Sequence, residues 1–346
     1  MTYIRTLKFP ESSPVGDLYT SKALIAPAVG MVVVPVDEPV LLYTTKQRID
    51  YSFLKELEPD DLQGIIVQSR AFGNNDLINF SHLKDLRVLD LKQTEVSDAG
   101  LVHIGELDNL RALMLTRTKV TDSGIPQLFA LNQLAELDLS NTRITDEGLE
   151  FLCSLTRLVS LQLSNTLVTD EGIPCLTDLT ELRKLFLDNT KVSDYCTNEL
   201  LPLQLHALNL ARNNLTDKCC QALGTISTLH WLTLDSTDIG DAGIELLTGL
   251  NGLQALGLHV TKITNQALLS LRRLPDLKFL IVSNTALTNE GLELLKDFPA
   301  LEYVNVKFSK MTLDVIDDFQ RQNPQLVVEC RPQPVTFELP MQEFEP

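Results

Sequence analysis

The side chains in this sequence that could ligate a metal, move a proton or act as a nucleophile are plentiful but scattered. The histidines are His82, His103, His206, His230 and His259, and the cysteines are Cys153, Cys175, Cys196, Cys219, Cys220 and Cys330. A zinc cluster or a disulfide framework groups its cysteines tightly, as Cys-x-x-Cys pairs do. No such pair occurs, and only Cys219 and Cys220 are close in sequence. The cysteines therefore read as small apolar fillers kept reduced in a cytosol. Gly-x-Gly-x-x-Gly, a Walker loop, His-Glu-x-x-His and Gly-x-Ser-x-Gly are all missing. Those patterns cradle phosphates, bind catalytic zinc or expose a serine nucleophile. The expectation is a protein that is not an enzyme, with no catalytic residue, no metal and no cofactor.

Carboxylates are more numerous, 46 against 29 lysines and arginines, and give a formal charge of -17. Their positions follow a ruler. The segment Leu86-Arg-Val-Leu89-Asp-Leu91-Lys-Gln-Thr94 recurs from Leu110, Leu134, Leu158, Leu182, Leu205, Leu229, Leu253, Leu277 and Leu301. The step is 24 residues, except for 23 between Leu185 and Leu208. Upstream, Ile65 and Val67 stand where Leu89 and Leu91 stand, and Leu41 and Tyr43 keep part of the pattern one period earlier. After each Leu-x-Leu comes a segment such as Thr145-Asp146-Glu147-Gly148-Leu149, so the aspartates are read as caps and solvated faces of a repeat.

Each unit reads as strand, turn and helix. Leu-x-Leu has period two, which sends both leucines to one side. Strands one repeat apart must run parallel. The apolar spacing of three in the second half suits a short helix, with Thr145 as its N-cap and Asp146 facing its positive end. The threonine column (94, 118, 142, 166, 190, 237, 261, 285), with Asn213 in the one exceptional slot, is expected to be buried and bonded to the backbone of its own or the next repeat.

This pattern resembles the leucine-rich-repeat superfamily, and its Thr-Asp-x-Gly-Leu segment is similar to the bacterial and cysteine-containing subtypes. Those families usually place Asn or Cys where Thr stands here, which changes the chemistry of the ladder and not the fold. The resemblance implies an α/β fold, a horseshoe solenoid with an inner parallel β-sheet and outer short helices. Residues 1–38 are expected to form an N-terminal cap. Residues 39–330 would hold about twelve repeats, the first two degenerate and the last capping, and residues 331–346 an acidic tail. Residues 1–60 show no F-box helix pattern, so ubiquitin-ligase adaptor work is not implied.

The charge disfavours nucleic-acid phosphates and anionic membranes as partners. The most apolar early stretch, Ala23 to Val36, is broken by Pro27, Gly30 and Pro35 and is too short to span a bilayer. No apolar run follows Arg5 and Lys8 to make a secretory signal. A cytoplasmic monomer is the expectation.

Outward strand positions carry no folding duty. In the first half they are small and polar, while the second half gathers Trp231, Phe279, Ile281 and Tyr303, with Val260 and Phe308 at strand exits. With Phe186 and His259, these residues form the expected contact set on the concave face of a non-catalytic scaffold that binds an unidentified protein or peptide. The alternative is recognition of a glycan or other non-protein ligand, through amides such as Asn141, Asn165, Asn189 and Asn284. The tail, with Phe337, Leu339, Met341 and Phe344, is a rival, intramolecular cover for the same patch.

Overall fold

Where the sequence repeats Leu-x-Leu the chain makes a strand, and where it repeats Asp-x-Gly-Leu it makes a helical turn. The computed structural model describes residues 4–20, 23–45 and 48–330. They divide into two compact units, Met1–Leu182 and Arg183–Pro346.

In the first unit β1 (Ile4–Lys8), β2 (Gly16–Tyr19), β3 (Leu24–Pro27), β4 (Met31–Pro35) and β5 (Leu41–Thr44) come first. The short strands β6 (Gly64–Ile66), β7 (Val88–Asp90), β8 (Ala112–Met114), β9 (Glu136–Asp138) and β10 (Ser160–Gln162) follow. From β5 to β10 all pairings are parallel and in chain order. Leu89 lies opposite Leu113, and Leu113 opposite Leu137, so the register advances one repeat per strand. β2 pairs antiparallel with β5 and with β3, which covers the edge that the first parallel strand would otherwise expose. β1 and β4 form their own antiparallel pair.

Alternation buries Leu89, Leu91, Leu113, Leu115, Leu137 and Leu139 completely or nearly so. Each such side chain contributes roughly 1.5–3 kcal/mol, and only stacking against a neighbouring repeat makes that burial available. In the two degenerate repeats, aromatic rings take the place of leucines. Tyr51, Phe72 and Phe80 are buried, with ring centroids 4.9 Å apart for Tyr51–Phe72 and 5.5 Å for Phe72–Phe80. This exchange of rings for leucines is why the sequence pattern fades there.

The helical halves are α-helices at Asp98–Ile104 and Asp146–Leu152, but a 3-10 helix at Asp122–Leu128. Pro126 lies inside that last segment, and its ring cannot donate a helical hydrogen bond. Thr145 caps its helix by accepting the N–H of Glu147 at 3.3 Å. Asp146 begins that helix, yet its carboxylate does more than face the helix end. It accepts the backbone N–H of Thr169 at 2.8 Å and the Thr169 hydroxyl at 2.7 Å. Asp98 holds Thr121, and Asp122 holds Thr145, in the same way. These aspartates are clamps between repeats. They also explain the glycine column, because a Cβ on Gly148 would lie 2.3 Å from Asp122 Oδ1.

The second unit stacks β11 (Lys184–Phe186), β12 (Ala207–Asn209), β13 (Trp231–Thr233), β14 (Ala255–Gly257), β15 (Phe279–Ile281), β16 (Tyr303–Asn305) and β17 (Val327–Glu329) in chain order, all parallel. The clamp persists, with Asp194 on Thr216 and Asp241 on Thr264. A ten-residue helix, Leu313–Gln322, precedes the last strand.

The threonine column is buried in both units except at Thr190, which is half-buried. Each hydroxyl donates to a carbonyl of its own repeat, as Thr94 does to Leu91 and Thr237 to Leu234. Asn213 differs, since its amide donates to Leu187 O at 2.7 Å and to Leu210 O at 3.1 Å. It therefore ties two repeats together where threonine serves one.

Candidate binding surface

Strand alternation turns three residues per repeat away from the leucine core. In the second unit the register aligns Ala207, Trp231, Ala255, Phe279 and Tyr303 across the sheet, and beside them Asn209, Thr233, Gly257, Ile281 and Asn305. Continuing the alternation, Asp235, His259, Ser283 and Lys307 form the next row. Phe186, Ala207, Trp231 and Ala255 make one buried cluster, with Phe279 packed against it. The alanines on both sides of Trp231 leave the space that the indole needs. Its ring centroid is 5.7 Å from that of Phe186, at 43°.

Beside the rings the side chains are polar. A Cβ on Gly257 would come within 2.8 Å of Asp235 Oδ1, 3.0 Å of Thr233 Cγ2 and 3.2 Å of Thr233 Oγ1. Only glycine at this point lets Thr233 and Asp235 lean over the neighbouring strand. The Asp235 carboxylate reaches across it to accept the N–H of His259 at 2.7 Å. Burial pushes the Asp235 carboxyl above its ordinary value, opposed by that hydrogen bond and by the charges of His259 and Arg212. No ion pair engages Asp235 among the described residues. The His259 ring nitrogen Nδ1 lies 2.8 Å from Ser283 Oγ. Two polar atoms in this patch, Trp231 Nε1 and Thr233 Oγ1, are buried with no hydrogen-bond partner among the described residues. Trp231 is 6% exposed and Thr233 7%.

The other expected contact residues separate into two groups. Tyr303 is buried, and its hydroxyl donates to Glu329, which also takes Asn305 Nδ2 at 3.0 Å and Lys307 Nζ at 2.6 Å. That polar knot faces the last strand. Val260 and Phe308 stand at the turn where the chain leaves its strand, at φ 54° and 58°, and they are 38% and 70% exposed. Every repeat from Gln93 to Phe308 places one residue in this left-handed conformation. Asparagine tolerates it, while a β-branched side chain such as valine is strained there. Asn141, Asn165, Asn189 and Asn284 occupy the same slot, so backbone geometry accounts for the amides read as glycan contacts. The tail residues read as a cover, Phe337, Leu339, Met341 and Phe344, lie outside the described residues.

The corresponding face of the first unit is built differently. Asp138 is buried, and it accepts the Thr116 hydroxyl and the Ser140 N–H, with Lys92 Nζ 4.0 Å away. Asp90 is also raised by burial, against the N–H and the charge of Lys92.

Sequence reading found the aromatic members of the second-unit patch but did not select Thr233, Asp235 or Gly257. The signal was present, in that Gly257 sits one period after Thr233 and one before Ile281. Its meaning depends on cross-strand register, which places a bare backbone beside two side chains that lean over it. Among the described residues, no group of three or more His, Cys, Asp or Glu could hold a metal ion, and no helix is long and apolar enough to cross a membrane.

Parallel strands at one repeat spacing, buried leucines and a clamp between repeats define a leucine-rich-repeat protein. The family described as leucine-rich repeat region matches residues 66–341, and the chain belongs to it. None of the curated proteins matches the sequence. Among solved structures, the chain is similar to an internalin from Listeria monocytogenes, with a TM-score of 0.61 and 18% identity over 85% of this chain and 87% of that one. It is also similar to a leucine-rich-repeat protein of Leptospira interrogans, with a TM-score of 0.51 and 19% identity over 84% and 88%. At these identities the likeness establishes the fold. The leucine-rich-repeat fold is typical of protein–protein interaction modules.

Proposed function

We propose that this chain is a non-catalytic interaction module, and that the strand face of its second unit binds a protein or peptide around Trp231 and Phe279. One observation carries the reading. Phe279 and Ile281 stay half-buried beside the buried Trp231 ring, an apolar surface that points away from the leucine core. A partner that covers them takes that surface out of water, and aromatic side chains of this kind are favoured anchors at interfaces.

A displayed library of random peptides, selected on the full chain, tests this. The expected result is a set of peptides whose affinity, measured by calorimetry, falls about tenfold or more in Trp231→Ala and in Phe279→Ala, as anchor truncations do. Peptides that bind both variants as tightly as the parent protein contradict the reading. Circular dichroism of each variant checks that the fold survives.

A further inference from the structure

We propose that Cys153 and Cys175 form a modification site, a disulfide that closes and opens by exchange with low-molecular-weight disulfides and thiols and that staples two neighbouring repeats of the first unit. This inference is independent of the binding role proposed above.

Position comes first. Cys153 follows the helix Asp146–Leu152, and Cys175 lies in the 3-10 helix Ile173–Asp178 of the next repeat. They are 22 residues apart, a spacing at which neighbouring repeats touch on their helical side. Where glycine takes the first place, the backbones close up. A Cβ on Gly105 would lie 2.1 Å from Gln127 O, and one on Gly224 would lie 2.1 Å from Leu246 O. Where both places carry side chains, the side chains meet, as Phe129 and Phe151 do with ring centroids 6.1 Å apart. Cys153 and Cys175 occupy the same two places one repeat further on. The Cys153 thiol donates to Cys175 O at 3.0 Å, and the two thiols share a hydrogen bond. A disulfide needs its Cβ atoms about 3.5–4.5 Å apart, and thiols already in contact close the remaining gap by turning about χ1.

Chemistry comes second. Both thiols are half-buried, whereas Cys196, Cys219 and Cys220 are buried, so a small reagent reaches this pair before those three. The hydrogen bond with Cys175 draws the Cys153 thiol below its ordinary value, against burial and the charges of Asp178 and Glu150. That same bond, and then burial, push the Cys175 thiol up. Cys153 is therefore the attacking group. Its thiolate attacks one sulfur of the small disulfide, forms a mixed disulfide and releases one small thiolate. Cys175 then loses its proton to solvent, attacks the Cys153 sulfur and releases the second small thiolate. The protein gives up two protons and two electrons, and the small disulfide is reduced to two thiols. A small thiol in excess runs both steps backwards.

The test holds the full chain, folded, in graded ratios of oxidised to reduced glutathione, quenches with acid and digests with trypsin without reduction. Cleavage at Arg143, Arg157 and Arg183 puts the two cysteines on adjacent peptides, residues 144–157 and 158–183. Mass spectrometry should find these two joined by a bond that dithiothreitol cleaves. The oxidised chain should melt about 5 °C higher than the reduced one, because the link constrains the unfolded chain. Cys175→Ser should keep glutathione on Cys153 as a mixed disulfide, while Cys153→Ser should leave Cys175 largely a thiol. Absence of the joined peptides overturns the inference, whether Cys153 of the parent carries glutathione or stays a thiol. So does either cysteine joined to a different one, or the reverse pattern in the two serine variants. A joined chain that melts no higher than the reduced chain overturns the staple.

Discussion

Two aspartates that point away from the leucine core, Asp138 buried in β9 and Asp235 half-buried just after β13, show how the two units differ. Asp138, in the first unit, accepts a threonine hydroxyl and a serine N–H and has Lys92 at 4.0 Å. Asp235, in the second, accepts one N–H, from His259, and forms no ion pair among the described residues. Around Asp138 the outward residues are Met114, Glu136, Ser160 and Gln162, whereas around Asp235 they include Trp231, Phe279 and Ile281. The leucine cores and the aspartate clamps are the same in kind. Apart from the aromatic rings of the two degenerate repeats, the difference lies on the face turned away from the leucines.

The comparison is broken most severely at Trp231. Trp231→Ala should cost about 3–5 kcal/mol of stability, the usual price of emptying an aromatic site. Met114→Ala, on the half-buried face of the first unit, should cost well under half of that. Urea unfolding of the two variants measures both, and equal losses would erase the distinction. A smaller effect, the same in both units, is expected in the spine. A Cβ at Gly148 would sit 2.3 Å from Asp122 Oδ1, and one at Gly243 would sit 2.5 Å from Asp217 Oδ1. Gly148→Ala and Gly243→Ala should each cost about 1–3 kcal/mol, as overpacking does. A large difference between them would mean that the clamps, too, are unlike.

The left-handed turns give a reciprocal pair. Val260→Asn should raise stability by about 1 kcal/mol, and Asn141→Val should lower it by about 1–2 kcal/mol. Thermal melts of the two variants, moving in opposite directions, would establish that φ and not ligand chemistry selects this column.

The smallest effect is electrostatic. Burial raises the Asp235 carboxyl above 3.8 in the folded chain, so the folded state keeps its proton to higher pH than the unfolded state does. Stability is then lost as pH rises from about 3.8 through the folded value, and the deficit is complete once the carboxyl is ionised in both states. Asp235→Asn should therefore melt slightly higher than the parent at pH 7, with the gain shrinking toward pH 4. Asp90, also raised by burial, should behave alike in Asp90→Asn. A gain that grows on acidification would reverse the sign of the argument.

The repeat, its strands and its buried threonines were legible because they depend on spacing alone. Leu89 and Leu91 declare a strand by period two, and Thr94 follows at a fixed offset. Asp146 was legible as a helix-start residue, but its grip on Thr169 was not, because that bond joins residues 23 apart in sequence. Val260 and Phe308 were legible as strand-exit residues, but the left-handed φ that the exit turn imposes on them was not, because composition does not show it. Trp231 stood out by type, yet its burial between Ala207 and Ala255, and the role of Gly257, required the cross-strand register.

Trp231 is the sole tryptophan of the chain, so its emission reports on the proposed surface with no other indole to interfere. Titrating the full chain with a selected peptide should shift that emission saturably, with the midpoint found by calorimetry. A peptide that binds by calorimetry yet leaves both the emission and its quenching by acrylamide unchanged would contradict the assignment of binding to this face.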